Sequence, residues 1–454
     1  PIESFLGTLV ISEGGLWGPL TGISVDVVAV FVLLGSIVGA GEAGRAFMAL
    51  AAWSAGGLRA GAAKVSVVAS ALFGSISGSA SANVASTGAF TLPTMRKLGY
   101  PPSLAAAVEA VASTGGQIMP PLMGAGAFVM AELLARPYTD IVTAALLPAI
   151  LFFLAVWVGI DRMALGAGLQ PIPAAERPSG REVARLFPFF ALPFAVLLLV
   201  LFGTTRTAQQ AAGAGIAVAL ALLLIDDRLR FDLPRFVTRV CGAATEAGRQ
   251  TAGIAAIIIC AGLIVGVLNQ TGLGVKVTSA ILAISGGQLW AALLLTALAC
   301  LVLGMEVPTT AAYVICIAVA GPALIELGLP PLVAHLFVFW YALLSTITPP
   351  VCGTVFIAAG MVDAPWLATA GRALRLGIGL YLVPIAFIIQ PALIDPAGDP
   401  MAAGIAFLRV AVSLWLIAFA LAHGIAADSS RVRQALLRIL AGASGLAFLM
   451  IPIA

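Results

Sequence analysis

Apolar stretches long enough to need lipid recur along almost the whole chain. A membrane-spanning helix takes roughly 20 mostly apolar residues. Candidate segments fall near 24–41, 62–74, 84–98, 103–118, 120–135, 139–160, 186–202, 208–225, 250–269, 288–304, 308–325, 332–347, 365–390, 403–422 and 434–453. Only 9% of the 454 residues are charged and 61% are hydrophobic, with a mean hydropathy of +1.10. Soluble domains hold about 25% charged and about 45–50% apolar residues. The fold class expected is therefore an all-α polytopic membrane protein. The net charge of +3 is spread over loops and gives no reason to invoke nucleic acid.

Several segments near 62–98 and 288–325 are too short to span, and each pair is interrupted by a small-residue or Pro-containing stretch. That pattern predicts two re-entrant hairpins of half-helices. The interruptions belong to an internal repeat. Leu98-Gly99-Tyr100-Pro101-Pro102 is matched by Leu327-Gly328-Leu329-Pro330-Pro331, and Pro120-Pro121 is matched by Pro349-Pro350, all at an offset of 229. Upstream of one lies the run Gly74 to Ser79, and upstream of the other Gly304 to Thr310. The flanking charges differ. Arg96 and Lys97 follow the first break, whereas Glu326 follows the second with no basic residue. The positive-inside bias then opens the first hairpin to the cytoplasm and the second to the periplasm. Two similar units in opposite orientation form an inverted-topology repeat, which marks secondary transporters.

The same bias places the polar stretch 161–185, with Arg162, Arg177, Arg181 and Arg185, in the cytoplasm, together with the basic stretch Arg228 to Arg249. Phe231, Leu233, Phe236 and Val237 make the latter an expected amphipathic interfacial helix. The turns at Gly203–Thr207 and Gln390–Met401 read as periplasmic, and Arg431 and Arg433 return to the cytoplasmic side. The five cysteines, Cys241, Cys260, Cys300, Cys316 and Cys352, show no metal spacing and read as small core residues. The chain opens on Pro1 with no initiator Met or signal-peptide pattern, as expected of the later part of a longer polypeptide.

A helix that ends inside the membrane leaves carbonyls and amides unpaired, at several kcal/mol each unless something satisfies them. A bound Na⁺ can take those carbonyls and nearby hydroxyls, and half-helix N-termini can face an anion. The first candidate constellation is Ser75, Ser77, Gly78, Ser79 and Asn83, opposite Ser113, Thr114, Gly115, Gly116 and Gln117. The second is Gly304, Pro308, Thr309 and Thr310, opposite Ser345, Thr346 and Thr348. The bland reading of such small residues is tight helix packing. Glu109 and Glu306 are intramembrane acids, placed by default at function. Glu109 could equally be a hydrogen-bonded structural acid, and Glu306 could ligate a cation, titrate a proton or face water. His335, alone in an apolar helix, reads as a satisfied core histidine.

Two long motifs carry a resemblance. Residues 73–83 read FGSISGSASAN and are followed by GGQIMPP at 115–121 and Met123-Gly124. In the second half, 303–313 read LGMEVPTTAAY and 345–350 read STITPP. Together they resemble the large membrane subunit of tripartite ATP-independent periplasmic (TRAP) transporters, and more narrowly the branch served by TAXI-type solute-binding proteins. The resemblance covers roughly residues 20–390. It implies an elevator-type, Na⁺-driven importer of small organic acids in the bacterial inner membrane, fed by a periplasmic binding protein and assembled with a small four-helix membrane subunit. That subunit would lie upstream of Pro1 or on a separate chain.

The resemblance implies Na⁺ at Ser77, Gly78, Ser79, Gly115, Gly116, Gly304, Thr309, Ser345 and Thr348. Substrate is expected at Ser75, Ser77, Asn83, Gln117, Thr310 and Thr346, with coupling at Glu306 or Glu109. Glu306 stands where that branch commonly has glycine. The expected partition is N-terminal scaffold helices at 1–61, a first transport region at 62–160 and a linker with scaffold helices and arm at 161–249. A second transport region at 250–360 and C-terminal scaffold helices at 361–454 complete it. The nearest rival is a stand-alone sodium–anion symporter of similar hairpin design. An intramembrane hydrolase would need a base to activate a nucleophile, and His335 and His423 have no clear orienting partner nearby in sequence. A passive channel does not explain paired inverted hairpins.

Overall fold

The protein is described here by a computed structural model covering residues 2–11, 15–226, 230–305, 307–421 and 431–451. Among these residues it is helical throughout, with a single isolated bridge between Ile225 and Phe231 in place of any sheet. Among the described residues six helices are long and apolar enough to cross a membrane, or seven if Trp366–Leu376 and Ile378–Ile389, bent by 59° at a break, count as one. The apolar stretch 365–390 is thus a broken element rather than the single helix its composition suggests.

The chain divides into two compact units, each discontinuous in sequence. One comprises Pro1–Ala46, Gly124–Ile141 and Ala184–Ser345. The other comprises Phe47–Met123, Val142–Val183 and Thr346–Ala454. Each unit holds the three helices of one copy of the repeat, and the chain passes to the other unit after Met123 in the first and after Ser345, just ahead of Pro349-Pro350, in the second.

In the unit that holds the first copy, the helices Gly61–Ser77, Ala80–Lys97 and Pro102–Gly115 pack against one another, and Gly353–Gly360 and Trp366–Leu376 pack on the third. The break between the first two is tighter than the sequence suggests. It occupies only Gly78 and Ser79, so Ser75 and Ser77 close one helix and Asn83 lies in the first turn of the next. Gly78 adopts a left-handed conformation (φ 58°), which suits glycine at a helix C-terminus. The Ser79 hydroxyl then accepts the Ala82 amide at 3.3 Å as an N-cap. Lys64 is buried, and its Nζ donates to Asp161 Oδ1 at 2.6 Å while lying 4.8 Å from the centre of the Trp157 ring.

In the other unit, Leu289–Leu303, Thr309–Glu326 and Pro331–Leu344 form the second copy. Thr309–Glu326 has the length and composition to cross a membrane, unlike the short half-helix expected of it. Ala29–Ala40 packs against Ala208–Leu223 and Leu233–Thr271. At 39 residues and about 1.5 Å per residue, Leu233–Thr271 is about 58 Å long, well beyond a hydrocarbon core of about 30 Å. The amphipathic arm and the apolar segment expected at 250–269 are therefore one helix. Its N-terminal part exposes Leu233 and Val237 and anchors inward through Arg235 and Arg239, which both pair with the buried Glu42. Cys241 and Cys260 are exposed on this helix, so only Cys300, Cys316 and Cys352 fit the core reading. The helices Ala43–Ala55 and Leu273–Ser285 were not among the expected segments. Arg45 and Lys276 place charge in them, which breaks the apolar run without breaking the helix.

Candidate functional site

In the first copy three helices meet around Asn83. Its Nδ2 donates to the carbonyls of Ser70 (2.9 Å) and Ser113 (3.2 Å), one on each neighbouring helix. Next to it the Gly74 and Gly116 backbones touch. A Cβ added to Gly74 would land on Gly116, and one added to Gly116 would reach Gly74 and lie 2.6 Å from Asn83 Nδ2. A Cβ added to Gly115 would instead meet the Phe152 ring, 2.3 Å from its Cε1. Two adjacent glycines therefore serve two contacts, one helix–helix and one helix–ring. Beside this junction Gly61–Ser77 and Pro102–Gly115 both reach their C-terminal ends. Helix C-termini carry partial negative charge and unpaired carbonyls.

Glu109 lies one turn deeper, fully buried. Ser66 Oγ donates to its Oε2 at 2.8 Å and Ser113 Oγ to its Oε1 at 3.2 Å. Thr87 and Thr91 approach Oε1 and Oε2 respectively. Ser70 Oγ closes the cluster at 3.3 Å from Ser113 Oγ and 3.4 Å from Thr87 Oγ1. No cation joins the carboxylate among the described residues. Four hydroxyls from three helices surround it instead.

Of the residues predicted for this copy, Asn83, Ser113, Gly116 and Glu109 come together in one network. Ser75 turns back to the Leu72 carbonyl at 2.8 Å, and Ser77 Oγ lies 3.5 Å from the Ser79 carbonyl, both local contacts at the break. Gln117 is buried in the short 3-10 turn Gly116–Ile118. Ser66, Ser70, Thr87 and Thr91 were not singled out from sequence. Their spacing offered a signal, since 66 and 70 share one helix face and 83, 87 and 91 another.

In the second copy Ser345 Oγ contacts the Gly304 carbonyl at 2.9 Å and the Ala342 carbonyl at 2.7 Å. A Cβ on Gly304 would lie 2.9 Å from Ser345 Cβ. Gly304 and Ser345 thus repeat the close approach of Gly74 and Gly116. Thr309 and Thr310 open the helix that follows Pro308. Glu306 lies outside the described residues. Thr346 and Thr348 belong to the first copy's unit. There Thr346 Oγ1 is 3.3 Å from Thr114 Oγ1, and Thr348 Oγ1 is 2.6 Å from the Tyr381 hydroxyl. At the offset of 229 the place of Glu109 is taken by Val338, so the second copy has no buried carboxylate there. It carries instead a Tyr313 hydroxyl 2.7 Å from His335 Nδ1, which fits the reading of His335 as a satisfied core histidine.

The family described as "Tripartite ATP-independent periplasmic transporter, DctM component" matches residues 5–396. A protein of Sinorhizobium fredii described as "Uncharacterized protein y4mL" is 27% identical over 74% of this chain and 78% of its own length. The C4-dicarboxylate TRAP transporter large permease protein DctM of Pseudomonas aeruginosa is 26% identical over 76% of this chain and 79% of its own. The isethionate TRAP transporter permease protein DctMQ of Oleidesulfovibrio alaskensis is 24% identical, covering 74% of this chain and 52% of that longer protein.

Proposed function

The chain belongs to the DctM family of tripartite ATP-independent periplasmic transporters, and we propose that it couples inward Na⁺ flow to the uptake of a small organic acid delivered by a periplasmic binding protein. The coarse reading follows from the family. The chain is the large, multi-pass inner-membrane permease of a secondary transporter, working with other components rather than as an enzyme.

The Asn83 junction carries the finer reading. A side-chain amide ties two helices together beside their C-terminal ends, where carbonyl oxygens and partial negative charge gather, and Na⁺ is a hard cation suited to such oxygens. We assign Na⁺ ligation to Ser77, Gly78, Ser79, Gly115 and Gly116 in this copy and to Gly304, Thr309 and Ser345 in the other. The N-terminal turns that begin after Ser79 and at Thr309 each favour an anion, which supports a carboxylate substrate. Two of the relatives are named for the anions C4-dicarboxylate and isethionate, in keeping with an acidic substrate here. The partners of the proposal are a binding protein, of TAXI type on the narrower reading, and a small four-helix subunit that the DctMQ relative's double name suggests is fused there.

Reconstitution tests this directly. Proteoliposomes holding the permease and its small subunit, with an inward Na⁺ gradient and the binding protein outside, should accumulate a labelled acid. Uptake that ignores Na⁺ would refute the coupling. Uptake that needs Na⁺ but no binding protein would turn the reading to a stand-alone symporter.

A further inference from the structure

We propose that the groove beside Arg162, Arg372 and Arg375 is a binding site for an anionic phospholipid. The groove is about 320 Å³, and the unit that holds the first repeat copy supplies all of its lining. Its walls are apolar and include Leu104, Ala418 and Leu421, while the three arginines supply its only charge among the described residues. The bend of 59° between Trp366–Leu376 and Ile378–Ile389 falls within this wall, as do Leu376 and Ile378 on either side of it.

The arginines are unbalanced. No carboxylate lines the groove, and none of the three has an ion pair among the described residues. Asp161, next to Arg162 in sequence, is taken by Lys64. Arg162 stacks its guanidinium 4.8 Å from the Trp415 ring centre and 5.0 Å from that of Phe419. Stacking uses the flat face of the group and leaves its in-plane N–H donors free for phosphate oxygens.

Location selects the occupant. Pro101 lines the groove, five residues after Arg96. Lys97 pairs at 2.9 Å with Glu176 of the basic 161–185 stretch. The groove therefore opens on the side that the positive-inside bias gives to the cytoplasm. Basic pockets between helices on that side suit anionic headgroups, and an apolar groove beside them suits an acyl chain. A free inorganic anion would use the arginines and leave the apolar walls empty.

The test is lipid retention by the purified full chain in native mass spectrometry, with thermal unfolding in detergent alongside. Phosphatidylglycerol should stay bound and raise the melting temperature. Phosphatidylcholine and inorganic phosphate should do neither. The double variant Arg372→Gln, Arg375→Gln should weaken phosphatidylglycerol binding at least tenfold, and Arg372→Lys, Arg375→Lys should retain most of it. Ala418→Trp keeps every arginine but fills the groove, and should also displace the lipid while leaving the lipid-free melting temperature in place. Equal retention of phosphatidylcholine, an equal shift from inorganic phosphate, or undiminished binding by both the glutamine double variant and Ala418→Trp would overturn the proposal. So would a crosslink from residue 418 to the small subunit in place of lipid.

Discussion

Glu109 shows how a carboxyl group can sit deep in an apolar protein without a counter-ion. Its two oxygens share four hydroxyl neighbours, so the network that solvates it also ties three helices together. We read it as a positioning residue for Asn83, since Thr87 also contacts the Asn83 carbonyl at 2.7 Å. Glu109→Gln keeps the shape and one acceptor oxygen, and the hydroxyls can rotate to meet its new donors. Uptake by this variant should keep its Na⁺ dependence. Loss of that dependence in a folded Glu109→Gln protein would instead make the carboxylate a coupling group. Glu109→Ala leaves the Ser66 hydroxyl without its partner, at about 1–3 kcal/mol for a buried group left unpaired, and opens a cavity among three helices, so it should melt below wild type. Asn83→Leu removes the clamp on Ser70 and Ser113 while keeping the volume. It should leave a folded protein whose Na⁺ activation of uptake shifts to higher concentration. An unchanged Na⁺ profile would remove Asn83 from the ion site.

At the scale of elements, the same close approach occurs in both copies from different residues. Gly74 meets Gly116 in one, and Gly304 meets Ser345 in the other. Gly116→Ala should cost about 1–3 kcal/mol through overpacking, read as a lower melting temperature. A neutral result would mean the two helices can part. A break within Gly74 to Ser79 was legible as a run of small residues, but its closing down to Gly78 and Ser79 was not. The hydroxyls of Ser66, Ser70, Thr87 and Thr91 were not. Hydroxyls on an apolar helix commonly bond the carbonyl four residues back, and Thr91 also makes that bond, to the Thr87 carbonyl at 3.0 Å. Only the crossing of a neighbouring helix gives such a group a second role. The bend near Gly377 was hidden for a related reason, since apolar composition continues unbroken through it.

For the whole molecule, the proposed mechanism requires Na⁺ and substrate to help each other bind. Linkage makes the effect reciprocal, and a coupling of 1–3 kcal/mol corresponds to about 5–150-fold. Titrations of substrate with and without Na⁺, and of Na⁺ with and without substrate, should give the same factor in that range. Equal affinities in all four conditions would show that the two bind independently. Sequence alone determined that lipid is the solvent, that the chain holds two related halves, and that each half is interrupted at small residues. Those properties are additive along the chain, because hydropathy, charge bias and repeat spacing are sums over neighbours in sequence. Tertiary structure decided which groups complete one another. It placed Thr346 in the unit of the first copy and Ser345 in that of the second, though the two are adjacent in the chain. It also gave the first copy a hydroxyl-lined carboxylate where the second has Val338. Those choices depend on which helix crosses which, and a hydrogen bond between residues 43 apart, as from Ser66 to Glu109, leaves no trace in the local pattern of either.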